Sequence, residues 1–304
     1  MEVVDEGEAG VQARVADGGA RYRIVAWSPW GGSSGGTNNQ KFGISVLFVG
    51  EAGAEVLLVG AQHDSTCWNL TSGATSPSDP CFQSGGVYVL GRNESTGVGA
   101  GVYQRAGMLK APAASVMREA WYGYSLGGAG TLVAVGAYGE AIGGVGCGSV
   151  HVYRWDGGAR SEEVAGGSSE LRRSVSFGWE GRLEPAAKEG GQQFGNSVAV
   201  AVRAGGGASV GVEYVAVGAP REANDSIGNA SGGYAVTTGV GGGSVPSNGG
   251  VWVYGGRPLE LLAHVKATVA VMNQLFGWRV SLGGGGVLAI GSQGNCTMHV
   301  ADVW

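Results

Sequence analysis

Charge is sparse in this chain. Lysine and arginine together number 19 in 304 residues, the net charge is −5, and the basic residues form no cluster. Recognition of nucleic acid needs a basic stripe or patch, so that class of partner is excluded. Apolar residues reach 43%, enough for a sizeable core, yet no apolar run approaches the roughly 18 residues that span a bilayer. The opening Met1-Glu2-Val3-Val4-Asp5-Glu6 is acidic and lacks the basic and apolar regions of a signal peptide. Only four histidines are present, scattered like the seven aspartates. No nucleophile–base pair or metal-ligand constellation is visible, so the expectation is no catalysis, no cofactor and no metal.

What the chain does have is glycine, 62 residues of it, and a repeat. An aromatic-glycine step occurs four times: Phe42-Gly43-Ile44-Ser45-Val46, Tyr122-Gly123-Tyr124-Ser125-Leu126, Phe194-Gly195-Asn196-Ser197-Val198 and Phe276-Gly277-Trp278-Arg279-Val280. Each is followed by an apolar run with a small-residue turn: Val56 to Ala61, Val133 to Ala137, Val215 to Pro220 and Leu288 to Ser292. A third segment closes every copy, at Gly86 to Val89, Ser149 to Tyr153, Gly250 to Tyr254 and Thr297 to Val300. A fourth lies between copies, at 101–111, 177–183 and 259–265. Short β-branched segments separated by Gly, Ser and Asn are strand-and-turn grammar.

Naming these positions A, B, C and D, the sequence predicts an all-β protein built of four-stranded antiparallel blades, four repeats forming a β-propeller. Residues 21–304 form the propeller and 1–20 a flexible leading segment. Tyr22 to Trp27 reads as a lone strand D, and the chain stops just after the fourth strand C. Pairing of Tyr22–Trp27 with Met298–Trp304 would close the ring and remove an exposed edge. The other possibility is a fragment of a larger propeller.

Phe-Gly-x-Ser-Val, Val-Gly-Ala-Pro and Gly-x-Val-x-Val-Tyr in fixed order resemble the FG-GAP repeat of integrin α-subunit propellers and of related bacterial and algal proteins. The third copy, Phe194 to Tyr254, is the nearest match, and the fourth departs with Arg279 at the Ser position. The resemblance implies adhesion or extracellular interaction. Many such repeats hold calcium in an Asp-rich A–B loop, but here only Glu51 and Glu55 supply acids in those loops. A hard cation takes about six to eight oxygens, so no calcium is expected.

Four residues after each turn glycine stands a carboxylate or amide: Asp64, Glu140, Glu222 and Asn295. These either cap the turn or form a ring of oxygens around one face, with His63 beside Asp64. The B–C loops 62–84 and 221–248 are the long ones, and long loops on a rigid scaffold are where binding resides; Trp68 is a candidate anchor for a partner. Gly123-Tyr124-Ser125-Leu126-Gly127 matches a hydrolase nucleophile pattern, but that motif needs a strand-to-helix turn, whereas this serine recurs inside strand A. Five glycosylation sequons (Asn69, Asn93, Asn224, Asn229, Asn295) and the pair Cys67/Cys81 suit an oxidising compartment. A bond between Cys147 and Cys296, on opposite blades, does not fit the geometry. The resulting expectation is a non-catalytic extracellular or cell-surface scaffold, its secretion signal missing from this sequence, that binds protein partners through the B–C/D–A face. A lectin-like glycan binder is the alternative.

Overall fold

The computed structural model describes residues 2–5, 11–14, 23–25, 41–50, 56–66, 78–93, 102–162, 172–203, 211–223, 247–267, 272–294 and 297–302. Among them there is no α-helix, only one 3-10 turn at Ala113–Ser115. Within the segment 1–20, β1 (Glu2–Asp5) and β2 (Val11–Arg14) are strands, and β3 (Arg23–Val25) completes a small antiparallel sheet with them. Blade 1 follows as β4 (Phe42–Val49), β5 (Val56–Ala61), β6 (Gly86–Asn93) and β7 (Val102–Leu109). Blade 2 is β8 (Ser125–Ala129), β9 (Leu132–Ala137), β10 (Ser149–Glu162) and β11 (Arg172–Leu183). Blade 3 is β12 (Ser197–Arg203), β13 (Val212–Ala219), β14 (Gly250–Gly255) and β15 (Glu260–Val265). Blade 4 has three strands, β16 (Phe276–Leu282), β17 (Val287–Ser292) and β18 (Thr297–Asp302). Neighbours are antiparallel in A-B-C-D order, and the four sheets are arranged as the blades of a β-propeller.

Strand B is apolar without alternation because both faces of the sheet are covered; all six residues of β9 are buried. Three slabs of the core lie between consecutive blades, and a fourth cluster, Val59, Ala61, Tyr88 and Leu90 with Phe42, Leu57, Tyr103 and Met108, lies on blade 1 alone. Leu58, Val87 and Val89 of blade 1 meet Tyr122, Val133 and Val135 of blade 2. Val150 and Val152 meet Phe194, Val198 and Val200 across the next gap, and Val251 and Val253 meet Phe276, Leu288 and Ile290 across the third.

The aromatic-glycine step works as an inter-blade latch. Tyr122, Phe194 and Phe276 are fully buried, and each makes a parallel bridge to the glycine that opens the preceding strand C, Gly85, Gly148 and Gly249. The glycine that follows has φ of 85 to 88° in all four copies, a left-handed turn that glycine makes without steric penalty. In blades 2 and 3 that turn delays strand A by three residues beyond the aromatic. The strand A serine then reaches forward. Ser45, Ser125 and Ser197 Oγ donate to the carbonyls of Gly123, Gly195 and Gly277 in the next blade, 2.8 Å in each case. Opposite that carbonyl stands the strand B glycine (Gly60, Gly136, Gly218), where any Cβ would overlap it.

The expected closure is not seen among the described residues. β3 pairs with β2 and lies near β7, and among the described residues it has no pairing with β18. On the face of blade 1 turned away from blade 2, Val59, Tyr88 and Leu90 are buried in a cluster with Phe42, while the innermost strand is exposed. Val198 and Val200 are each 8% exposed, but their counterparts on β4, Val46 and Phe48, are 56% and 59% exposed. Val251 and Val253 are 0% exposed, whereas their counterparts on β18, Met298 and Val300, reach 74% and 62%.

Candidate recognition face

The B–C and D–A connections share one face, joined by a backbone ladder. The D–A turn of one blade donates to the loop leading into the previous strand C: Glu119 N to Phe82 O, Tyr122 N to Ser84 O, Phe194 N to Cys147 O, Leu275 N to Ser247 O. The same turn accepts from its own blade's B–C loop, as in Gly139 N to Ala120 O, Arg221 N to Gln192 O and Gly294 N to Gln274 O.

Each B–C loop is rooted on its carboxylate residue. The amides of Asp64, Glu140 and Glu222 close a turn onto Ala61, Ala137 and Ala219. Their carbonyls receive the amides of Gly85, Gly148 and Gly249, just before strand C. One residue thus ties both ends of the loop.

The side chains of these three residues are buried, which corrects the idea of a ring of open oxygens. A buried carboxylate is tolerated only when paired and hydrogen-bonded, and each finds its partners on strands C and D of its own blade. Asp64 accepts from Tyr88 Oη (2.8 Å), Lys110 Nζ (3.1 Å) and the Thr66 amide (2.8 Å), the last being a turn cap. Glu140 accepts from Ser149 Oγ (2.5 Å) and Arg182 Nη1 (2.7 Å) and lies 2.7 Å from His151 Nε2. Glu222 lies 3.3 Å from Trp252 Nε1, 3.1 Å from His264 Nε2 and 3.6 Å from Lys266 Nζ. Burial pushes the Glu140 carboxyl up, but the bonds and charges of His151, Ser149 and Arg182 outweigh it, leaving the group below the usual carboxylate range. Burial lowers Lys110, with Asp64 opposing that shift. Lys110 also donates to Ser84 Oγ and Gly85 O.

Ser149, Glu140 and His151 are a serine, an acid and a histidine in contact, but not in a hydrolytic order. Serine and histidine each bond the carboxylate rather than each other, and all three are fully buried. A reacting serine needs a base within hydrogen-bond reach and access for substrate. Ser125, in the Gly-x-Ser-x-Gly match, is occupied by Gly195 O and opens a strand. Among the described residues no grouping of His, Cys, Asp or Glu could hold a metal.

Of the other candidates, His63 is half-buried with its Nε2 3.0 Å from Gln62 Nε2. Asn93 ends β6. Trp68, Cys67, Asn69, Asn224, Asn229 and Asn295 lie outside the described residues. Cys81 is disulfide-bonded, and Cys147 is a free thiol whose pKa burial raises. The carboxylates' partners were missed in the sequence. Their signal is the third residue of strand C, where Tyr88, His151, Trp252 and His299 each carry a ring with a polar atom.

Three further contacts bind blades together. Arg154 on β10 forks onto Glu213 of blade 3 (2.7 and 2.8 Å) while also holding Glu180 (2.6 Å), and these bonds raise the guanidinium and lower Glu180. Tyr153 and Tyr254 hydroxyls donate back to the Lys110 and Glu184 carbonyls of the preceding blade.

No protein-family model and no curated protein matches the chain.

Proposed function

We propose that this protein is a non-catalytic recognition scaffold of the FG-GAP type, acting outside the cell or at its surface, that binds a protein partner through the B–C/D–A face. The observation that carries this reading is the locked root of each B–C loop. A buried carboxylate fixed to strands C and D, with the loop's two ends tied to its own main chain, lets loops 62–84 and 221–248 vary without disturbing the blade. Long loops on fixed roots are suited to recognition. The disulfide at Cys81 supports an oxidising compartment, with Cys67 as its proposed mate and the five sequons as proposed glycan sites.

The test exchanges residues 224–246 for a short Gly-Ser linker and, separately, substitutes the opposite face at Arg257. Both proteins and the wild type are then used to capture extracellular-matrix proteins, with a glycan array run alongside. Loss of a specific protein partner on loop exchange, with retention in Arg257→Ser, is the expected result. Array binding without protein capture would favour a glycan ligand, and identical capture by all three proteins would refute the assignment to this face.

A further inference from the structure

We propose that blade 3 is the site of a self-formed covalent cross-link, an amide bond between the Lys266 amine and the side-chain carbonyl carbon of Asn248, with Glu222 carrying the protons and ammonia released. The three groups are already in contact. Lys266 Nζ donates to Asn248 Oδ1 at 3.2 Å, and Glu222 Oε1 lies 3.6 Å from the same nitrogen. All three residues are buried. An amine, an amide and a carboxylate held together away from water are the complete set for transamidation. The amine is the nucleophile, the amide carbon the electrophile, and the carboxylate the acid–base group.

The backbone keeps these groups in place. Asn248 stands just before β14 and Lys266 just after β15, strands that pair with Val251 opposite Val265. The Asn248 carbonyl accepts the Phe276 amide at 2.9 Å, and the Gly249 amide donates to Glu222 O at 3.0 Å. The carboxylate is oriented through its other oxygen. Glu222 Oε2 lies 3.3 Å from Trp252 Nε1 and 3.1 Å from Nε2 of His264, whose ring stacks on Trp252 at 3.9 Å. That leaves Oε1 to face the amine. Reactants fixed in contact gain orders of magnitude in rate over the same groups free in water, and a bond made once needs no turnover.

Glu222 first takes a proton from the Lys266 ammonium, which removes two buried charges together. The amine lone pair then forms the Nζ–Cγ bond, and the carbonyl π pair moves onto Oδ1. Glu222 gives its proton to Nδ2 and takes one from Nζ. The pair on Oδ1 re-forms the carbonyl, the Cγ–Nδ2 bond breaks and ammonia departs, finally carrying off the Glu222 proton as ammonium. No oxidant or co-reactant is needed.

Blade 1 holds the same arrangement without the electrophile. Lys110 follows β7 as Lys266 follows β15, and it lies 3.1 Å from Asp64 Oδ1. Its other side-chain partner, at 3.2 Å, is the hydroxyl of Ser84, which occupies the place of Asn248 ahead of strand C. A hydroxyl offers no acyl carbon, so blade 1 stops at the ion pair. In blade 2 the two positions are Cys147 and Glu184.

The experiment is peptide mapping of the reduced, denatured protein with trypsin and a glutamate-specific protease, whose cut after Glu260 separates Asn248 from Lys266 in an unlinked chain. The wild type is expected to yield a branched peptide, with Lys266 uncut and joined to the fragment holding Asn248, lighter than its two parts by one ammonia. Glu222→Gln and Lys266→Arg, with circular dichroism confirming that each folds, are expected to give linear fragments alone. Linear fragments from the wild type overturn the proposal. So does loss of ammonia with Lys266 still cut, which is the mark of imide formation at Asn248-Gly249. A branched peptide from Glu222→Gln overturns the part given to Glu222. If that variant does not fold, the wild-type branch and its loss in Lys266→Arg decide the matter.

Discussion

Replacing Gly136 with alanine tests the latch in isolation. Gly136 lies in β9 with an ordinary φ, so backbone strain plays no part, and in an open strand position alanine would gain about 0.5–1 kcal/mol over glycine. Here the new Cβ would overlap the Gly195 carbonyl and Ser125 Oγ. The carbonyl cannot simply retreat. It accepts Ser125 Oγ at 2.8 Å, and the Gly195 amide is bonded to Gly218 O at 3.1 Å. Overpacking of this kind costs about 1–3 kcal/mol, and loss of the serine bond adds about 1 kcal/mol. The sum is roughly 2–4 kcal/mol, a fall in Tm of roughly 3–6 °C for a chain of this length. Gly291→Ala is the internal control, since it places the same methyl group at the same repeat position where the nearest described atoms, Arg279 Cβ and O, are at 3.7 Å. It should leave Tm unchanged or slightly raised. Thermal and urea unfolding of both variants decides the matter. Equal losses would show that blade 4 is latched like the others, and no loss in Gly136→Ala would show that the latch does not hold blades together.

Ser197→Ala removes the buried bond to Gly277 O and should cost about 1–2 kcal/mol in urea unfolding; Ser281→Ala, on the exposed part of β16, should cost nothing measurable. Because the folded Glu140 carboxyl is depressed, its contribution is present above the unfolded value near about 4.3 and is lost as pH falls through the lower folded value. Glu140→Gln should therefore be less stable than wild type by about 1–3 kcal/mol at neutral pH, with the gap narrowing in acid; a gap independent of pH would contradict this. Peptide mapping without reduction should recover Cys67 joined to Cys81, and reduction should cost about 3 kcal/mol for a loop of this length; Cys81 joined to Cys296 would refute the pairing.

The blades were legible because their punctuation is physical. The glycine after each aromatic, the small turn after strand B and the glycine before strand C are all positions where a side chain would collide or a left-handed turn is required. Strand A began later than the motif suggests in blades 2 and 3, since Tyr122 and Phe194 belong to the turn and bridge to the neighbouring blade. The Asp64, Glu140 and Glu222 series was visible as a regularity, but its meaning was not. Lys110 is 46 residues from Asp64 and Arg182 is 42 from Glu140, and only folding of strand D onto strand C brings them together. Closure through Tyr22–Trp27 is not seen among the described residues for a related reason: a short apolar strand fits any free edge, and Arg23–Val25 pairs with β2.

Hydroxyl-radical footprinting tests the arrangement of three latched junctions most directly. Phe48 and Met298 should be oxidised readily while Phe194, Phe276 and Trp252, buried in the internal junctions, are protected. Protection of Phe48 and Met298 equal to that of Phe194 would mean that blade 1 and blade 4 already meet within one chain, and would contradict the account.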